Sequence, residues 1–125
     1  MDGGVVISPV LGAVSVSGSP VLVDGFLCAI ASFTVGSGEP VFAGHYPSFP
    51  LFPGVCVVEC VHRAAVSLFG GSLVAMDSVR FQGPVVPGDV LTIALKWRDG
   101  VCAAEVTTPR GPAASVKLQY SGGAG

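Results

Sequence analysis

Charge is scarce in this chain: 11% of its 125 residues are Asp, Glu, Lys or Arg, while half are apolar. That is too little charge to cover the outside of a monomer of this size, and it points to self-association. Clustered basic residues are missing as well. Six Lys and Arg scattered along the sequence, with a net charge of -2, argue against a nucleic-acid surface, because phosphate binding needs grouped cations. No apolar run reaches the roughly 20 residues of a membrane span. The longest stretch, Val55 to Phe69, is interrupted by Glu59, His62 and Arg63. The N-terminus, Met1-Asp2-Gly3-Gly4, lacks the basic flank of a signal peptide, so a cytoplasmic chain is expected. Its four cysteines form no CxxC pair and no regular disulfide spacing, which predicts buried, reduced thiols. Cys56 and Cys60 stand one helical turn apart with His62 nearby. No fourth ligand has suitable spacing, so no metal site is expected.

Glycine and proline, by contrast, are abundant, and the segments between them are short, rich in Val and mostly of strand length. Leu11 to Val16 and Val21 to Phe33 read as two strands forming a hairpin across the turn Ser17-Gly18-Ser19-Pro20. Next comes a loop, His45 to Gly54, in which three prolines forbid both helix and central strand. From Val55 to about Phe69 no proline or glycine intervenes, and Glu59, His62, Arg63 and Ser67 recur at helical spacing. Pro53 and Gly54 open this helix and Gly70-Gly71 close it. Most of its circumference is apolar and needs cover. Four further strands follow, at Ser72 to Phe81, Val90 to Arg98, Val101 to Thr108 and Ala113 to Tyr120, with Asp99-Gly100 a strong two-residue hairpin signal. Ser121 to Gly125 reads as a loose end. The pattern predicts one α+β domain over residues 1–125, ordered from about 10 to 120, in which an antiparallel sheet wraps around one central helix.

The junction of loop and helix holds the most suggestive pair of side chains. Histidine has an unperturbed pKa of about 6.5, and a carboxyl among apolar neighbours is raised toward the same range. His45 and Glu59 facing each other would thus take one proton and give another. Gly54 or Val55, at the helix N-terminus, would offer a backbone N–H to a carbonyl oxygen. Spacing alone favours a blander reading: Glu59, His62, Arg63 and Ser67 as the solvated stripe of an amphipathic helix, and His45 as a turn cap.

Two blocks of sequence bear on that choice. Phe42-Ala43-Gly44-His45-Tyr46-Pro47-Ser48-Phe49-Pro50-Leu51-Phe52-Pro53-Gly54-Val55, followed by Glu59, resembles the G-H-F-P-x-x-P-x-x-P-G-V loop and downstream glutamate of FabZ-type 3-hydroxyacyl-[acyl-carrier-protein] dehydratases. Val79-Arg80-Phe81-Gln82-Gly83-Pro84-Val85-Val86-Pro87-Gly88-Asp89 is similar to the A-R-F-x-x-P-V-x-P-G-D segment of the same family. The resemblance runs from about Val10 to Tyr120. It implies a hotdog fold and a dimer in which the histidine of one subunit faces the glutamate of the other. His45 would remove a proton from C2 of a (3R)-hydroxyacyl thioester while Glu59 helps the 3-hydroxyl leave, giving the trans-2-enoyl thioester. No cofactor is implied. The partner would be an acyl carrier protein, with Tyr46, Phe52, Gly54, Val55 and Arg63 as substrate-binding residues, Arg63 meeting the carrier's phosphate.

Departures from the family pattern concentrate around the site. Ser48 stands for a glycine, Tyr46 for phenylalanine, and His62-Arg63 for the usual Ala-Gln pair. Together with a short, Ser/Gly-rich N-terminus they suggest a dedicated polyketide or polyene pathway rather than general fatty-acid synthesis. Three alternatives remain open: a FabA-type dehydratase/isomerase, which usually carries aspartate at the Glu59 position; a hotdog thioesterase, which usually lacks the His-Pro loop; and an idle subunit that binds acyl groups or supports an active partner. Dimer against hexamer, and self-pairing against pairing with a related subunit, stay open too.

Overall fold

A computed structural model describes the chain at residue 10 and over residues 12–36, 38–39 and 52–124. Within these residues lie β1 (Ser15–Val16), β2 (Val21–Val23), β3 (Phe26–Thr34), α1 (Gly54–Phe69), β4 (Ser72–Phe81), β5 (Val90–Arg98), β6 (Val101–Thr108) and β7 (Gly111–Ser121). All strand pairs are antiparallel, in the order β1-β3-β5-β6-β7-β4, with β2 also on β3.

Alternation along the strands turns one face of this sheet inward. Leu91, Ile93, Leu95 and Trp97 of β5 are buried, as are Cys102, Ala104 and Val106 of β6 and Ala114, Val116 and Leu118 of β7. Register sets them in rows, with Leu95 opposite Ala104 and Ala104 opposite Val116. The helix lies on these rows through Cys56, Val57, Cys60, Val61, Ala64, Ala65 and Phe69. Most of these are small, so the helix axis can approach the sheet closely. Each fully buried Leu, Ile or Phe contributes about 1.5–3 kcal/mol to this packing.

Local signals set the ends of α1. Pro53 is the N-cap in extended conformation, and Gly70 ends the helix with φ 74° while its N–H donates to the Val66 carbonyl at 3.0 Å. The element order matches the sequence reading, but the N-terminal part differs. The run Val21 to Phe33 is two strands, folded back on themselves at Asp24-Gly25, whose φ values of 51° and 84° are those of a two-residue turn with both central residues left-handed. Asp99-Gly100, with φ 51° and 80°, repeats this turn between β5 and β6. The same dipeptide makes the same hairpin twice, although only the second stands out in the sequence.

Of the strand expected over Leu11 to Val16, the described residues form strand at Ser15–Val16, which pairs with the far half of β3, Ser15 opposite Ser32. Val10 and Gly12 lie outside the sheet, and their carbonyls accept from the helix side chain Arg63. Nor is the described part of the C-terminal end, residues 121–124, loose. β7 extends to Ser121, the Ala124 N–H donates to the Phe69 carbonyl at 2.7 Å, and the Trp97 indole donates to the Ala124 carbonyl at 2.8 Å. A buried Trp needs an acceptor for its N–H, and the tail supplies it.

Candidate active site

At the start of α1 the Pro53 carbonyl accepts the N–H groups of Cys56 at 2.9 Å and Val57 at 3.2 Å. The N–H groups of Gly54 and Val55 stand ahead of the intrahelical ladder, at the positive end of the helix dipole. Phe52 anchors the entry. Its N–H donates to the Val85 carbonyl at 2.7 Å, and its buried ring stacks on Phe33 with centroids 5.9 Å apart. Phe81, the last residue of β4, lays its ring on Gly54; a β-carbon there would fall within 2.8 Å of three ring carbons. One side of that ring borders an apolar cavity of about 170 Å³ lined by Phe52, Gly54, Val57, Val85 and Ala113. The other borders one of about 260 Å³ beside Val55, Val58, Met76 and Val79. Of the residues expected to contact substrate, Phe52 and Gly54 thus share one cavity and Val55 lines the next.

Glu59 lies one turn deeper, a quarter exposed (26%), with Oε2 accepting from Arg63 Nε at 3.0 Å. The other two guanidinium nitrogens of Arg63 donate to backbone, Nη1 to Gly12 O at 2.7 Å and Nη2 to Val10 O. All three nitrogens of the Arg63 guanidinium thus face acceptors of this chain. His62, the other departure from the family pattern, turns toward β7, where its Nδ1 lies 2.8 Å from the Tyr120 hydroxyl and the two rings stack. Burial, with smaller contributions from Cys102 and Glu59, pushes the Tyr120 phenol above its ordinary range. His45 and Tyr46 lie outside the described residues.

One carboxylate in this region went unnoticed in the sequence. Glu39 is 6% exposed and accepts the Gly12 N–H at 2.9 Å through Oε2. No pattern marks it, since its partner lies 27 residues away. Burial, with Glu39 and Glu59 adding, raises the thiol of Cys56. Burial alone pushes Cys102 up to about 12, and Cys60 reaches about 12 chiefly by burial, opposed by Arg63. All four cysteines are free thiols. Among the described residues no group of three or more His, Cys, Asp or Glu could hold a metal ion.

The second sequence block closes the smaller cavity. Asp89, 5% exposed, accepts both Arg110 Nη1 at 2.7 Å and Nη2 at 2.6 Å, and also the Val86 N–H at 2.9 Å. Arg110 Nη2 reaches the Pro84 carbonyl at 3.0 Å as well, so this one pair shapes the loop from Pro84 to Asp89. A larger depression, about 410 Å³, lies on the outer face of the sheet, between Phe26, Lys96, Arg98, Val101, Ala103 and Lys117. It is separated from α1 by the sheet itself and is no part of this site. Three of the six basic residues nonetheless gather there, two of them over the Phe26 ring, so cations scattered in the sequence are not scattered in the fold.

A family model described as ApeI-like, ApeI dehydratase, matches residues 27–111, which includes the helix, Glu59 and both sequence blocks. The chain belongs to this ApeI-like family. It is also 40% identical over 83 residues to the FabZ 3-hydroxyacyl-[acyl-carrier-protein] dehydratase of Haemophilus ducreyi, a match covering 58% of this chain and 53% of that protein. The chain thus spans about half the length of the curated relatives it matches. Among solved structures, the dehydratase heterocomplex ApeI:P from Xenorhabdus doucetiae aligns with a TM-score of 0.72 at 20% identity, over 90% of this chain and 98% of that one. A hot-dog-like protein from Thermanaerovibrio acidaminovorans aligns with a TM-score of 0.63 at 16% identity, over 78% and 82%. The fold is the hotdog fold that the two sequence blocks imply. No helix among the described residues is long and apolar enough to cross a membrane.

Proposed function

We propose that this chain dehydrates a (3R)-hydroxyacyl thioester carried on an acyl carrier protein. The observation that carries the reading is the position of Glu59: it projects, a quarter exposed, from the helix whose first residues, Gly54 and Val55, line two apolar cavities, in a chain of the ApeI-like family. In this scheme the thioester oxygen accepts from the Gly54 or Val55 N–H, which stabilises the negative charge that develops as C2 loses its proton. His45 takes that proton. The C3–O bond breaks, and the departing hydroxyl leaves as water after receiving a proton from Glu59 through Oε1, directly or by way of a water. Electrons of the C2–H bond become the C2=C3 double bond, and returning the proton from His45 to Glu59 resets the site. Phe52 and Tyr46 line the acyl chain. No cofactor takes part, and the reaction belongs to the cytoplasm, where the four thiols stay reduced.

The active unit of this proposal is a dimer, because the family resemblance sets the histidine of one subunit against the glutamate of the other. Support comes from β4. It is a ten-residue edge strand with Leu73, Val74 and Met76 exposed, a long apolar edge of the kind that pairs with another chain. The partner is a second copy or a related hotdog subunit; the similar Xenorhabdus dehydratase is a heterocomplex. The departures at Tyr46, Ser48 and His62-Arg63 favour a polyketide or polyene substrate over a general fatty-acid one.

The test offers the purified protein a panel of 3-hydroxyacyl carrier proteins and follows loss of water by mass spectrometry. His45→Ala and Glu59→Gln are each expected to reduce kcat by about 10²- to 10⁴-fold with the fold retained. Normal turnover by either variant would remove that residue from the mechanism.

A further inference from the structure

Arg63 sits where the family pattern has glutamine, and its contacts reach far outside the helix. An exposed ion pair one helical turn apart fixes little, because both long side chains keep swinging. Here the guanidinium is pinned at three points. Nε donates to Glu59 Oε2 at 3.0 Å, Nη1 to Gly12 O at 2.7 Å, and Nη2 to Val10 O. The segment that supplies the two carbonyls is itself held. Val10 is 1% exposed, the Gly12 N–H donates to the buried Glu39 at 2.9 Å, and a β-carbon on Gly12 would fall 2.7 Å from the Phe33 ring. The planar fork of arginine suits this task, since lysine offers a single charged atom and cannot meet three acceptors spread around a plane.

We propose that Arg63, strapped to the backbone of Val10 and Gly12, is a positioning residue that holds the Glu59 carboxyl in the orientation its chemistry needs. This rests on the dehydratase reading for its consequence, though not for its geometry. Acid/base help depends on reach, and a displacement of about 1 Å is enough to lose on the order of 100-fold in rate. The strap ties Glu59 to Glu39 as well, through Gly12, so the N-terminal segment and the end of the β3 side of the fold bear on one catalytic carboxyl.

The experiment compares wild type, Arg63→Met, Arg63→Lys, a chain lacking residues 1–12, and that deletion combined with Arg63→Met. Arg63→Met is expected to lower kcat about 10- to 100-fold while KM for the carrier-bound substrate changes less than about 2-fold. Arg63→Lys restores only part of the loss. Deletion of the strap lowers kcat similarly in wild type and adds nothing in the Arg63→Met background, because both changes remove one shared interaction. Should the deleted chain fail to fold by circular dichroism, Gly12→Ala takes its place in the cycle. Unchanged kcat in folded Arg63→Met, a rise in KM alone, or losses that multiply independently would each overturn the inference. A second readout needs no activity: the Arg63 Nε–H resonance is expected to exchange slowly in wild type and rapidly in Glu59→Gln and in the strap variant. Fast exchange in wild type overturns the positioning role. Slow exchange with no turnover of any hydroxyacyl carrier overturns the dehydratase reading and leaves the strap standing.

Discussion

Gly12 and Gly54 each leave no room for a β-carbon, yet they differ in what would have to move. At Gly12 the obstacle is the Phe33 ring at 2.7 Å, itself 1% exposed and stacked on Phe52. A core ring cannot yield, so Gly12→Ala is expected to destabilise by about 1–3 kcal/mol, measured by denaturant unfolding. At Gly54 the obstacle is Phe81, which is 56% exposed and free to rotate outward. Gly54→Ala is therefore expected to shift Tm little while altering kcat/KM, because the displaced ring moves across the mouth of both cavities; a Tm loss as large as that of Gly12→Ala would contradict this. At this scale the sequence singles out candidates where residues fall in a known pattern, as at Glu59 and Gly54. It was silent on Glu39 and on the hold of Arg63 on the N-terminal segment, because these contacts to Gly12 span 27 and 51 residues.

Between the strands, the loop Pro84 to Asp89 depends on one ion pair. Hydrogen bonds from Arg110 hold the Asp89 carboxyl below its ordinary range, burial opposing and the Val86 N–H assisting. A carboxyl that is harder to protonate folded than unfolded adds stability above its unfolded pKa of about 3.9, and that contribution fades as pH falls through the lower folded value. Asp89→Asn is accordingly expected to lower Tm at pH 7 and to lower it progressively less as pH falls below about 4, since the wild type loses the same interaction there. A Tm difference constant from pH 7 to pH 2 would show that the pair does not titrate as described. The hairpins illustrate what was readable among elements. Asp99-Gly100 stands between two clear strands and announces its turn, whereas Asp24-Gly25 interrupts a run so apolar, Val21 to Phe33, that alternation alone continues the strand through it. Pairing of β1 with the far half of β3 was beyond local pattern, because register belongs to two segments at once.

For the whole molecule the open question is assembly, and β4 carries it. Val74 is 64% and Met76 55% exposed on an edge strand that no other part of the described chain covers. The double variant Val74→Lys/Met76→Lys is expected to run as a monomer by light scattering and to lose at least about 10-fold in turnover, because charge on an edge blocks pairing; a monomer with full activity would show that one chain holds a complete site. What the sequence determined by itself is the order and kind of the elements: proline, glycine and Asp-Gly act on their immediate neighbours, and periods of two and three to four residues declare which face is apolar. The tertiary structure alone decided who meets whom. It set Phe81 over Gly54, drew Lys96, Arg98 and Lys117 to one outer depression, and brought the backbone of Val10 and Gly12 to Arg63. Those encounters follow from strand register and from the closeness of helix to sheet, which are properties of the packed chain and not of any stretch short enough to carry a local signal.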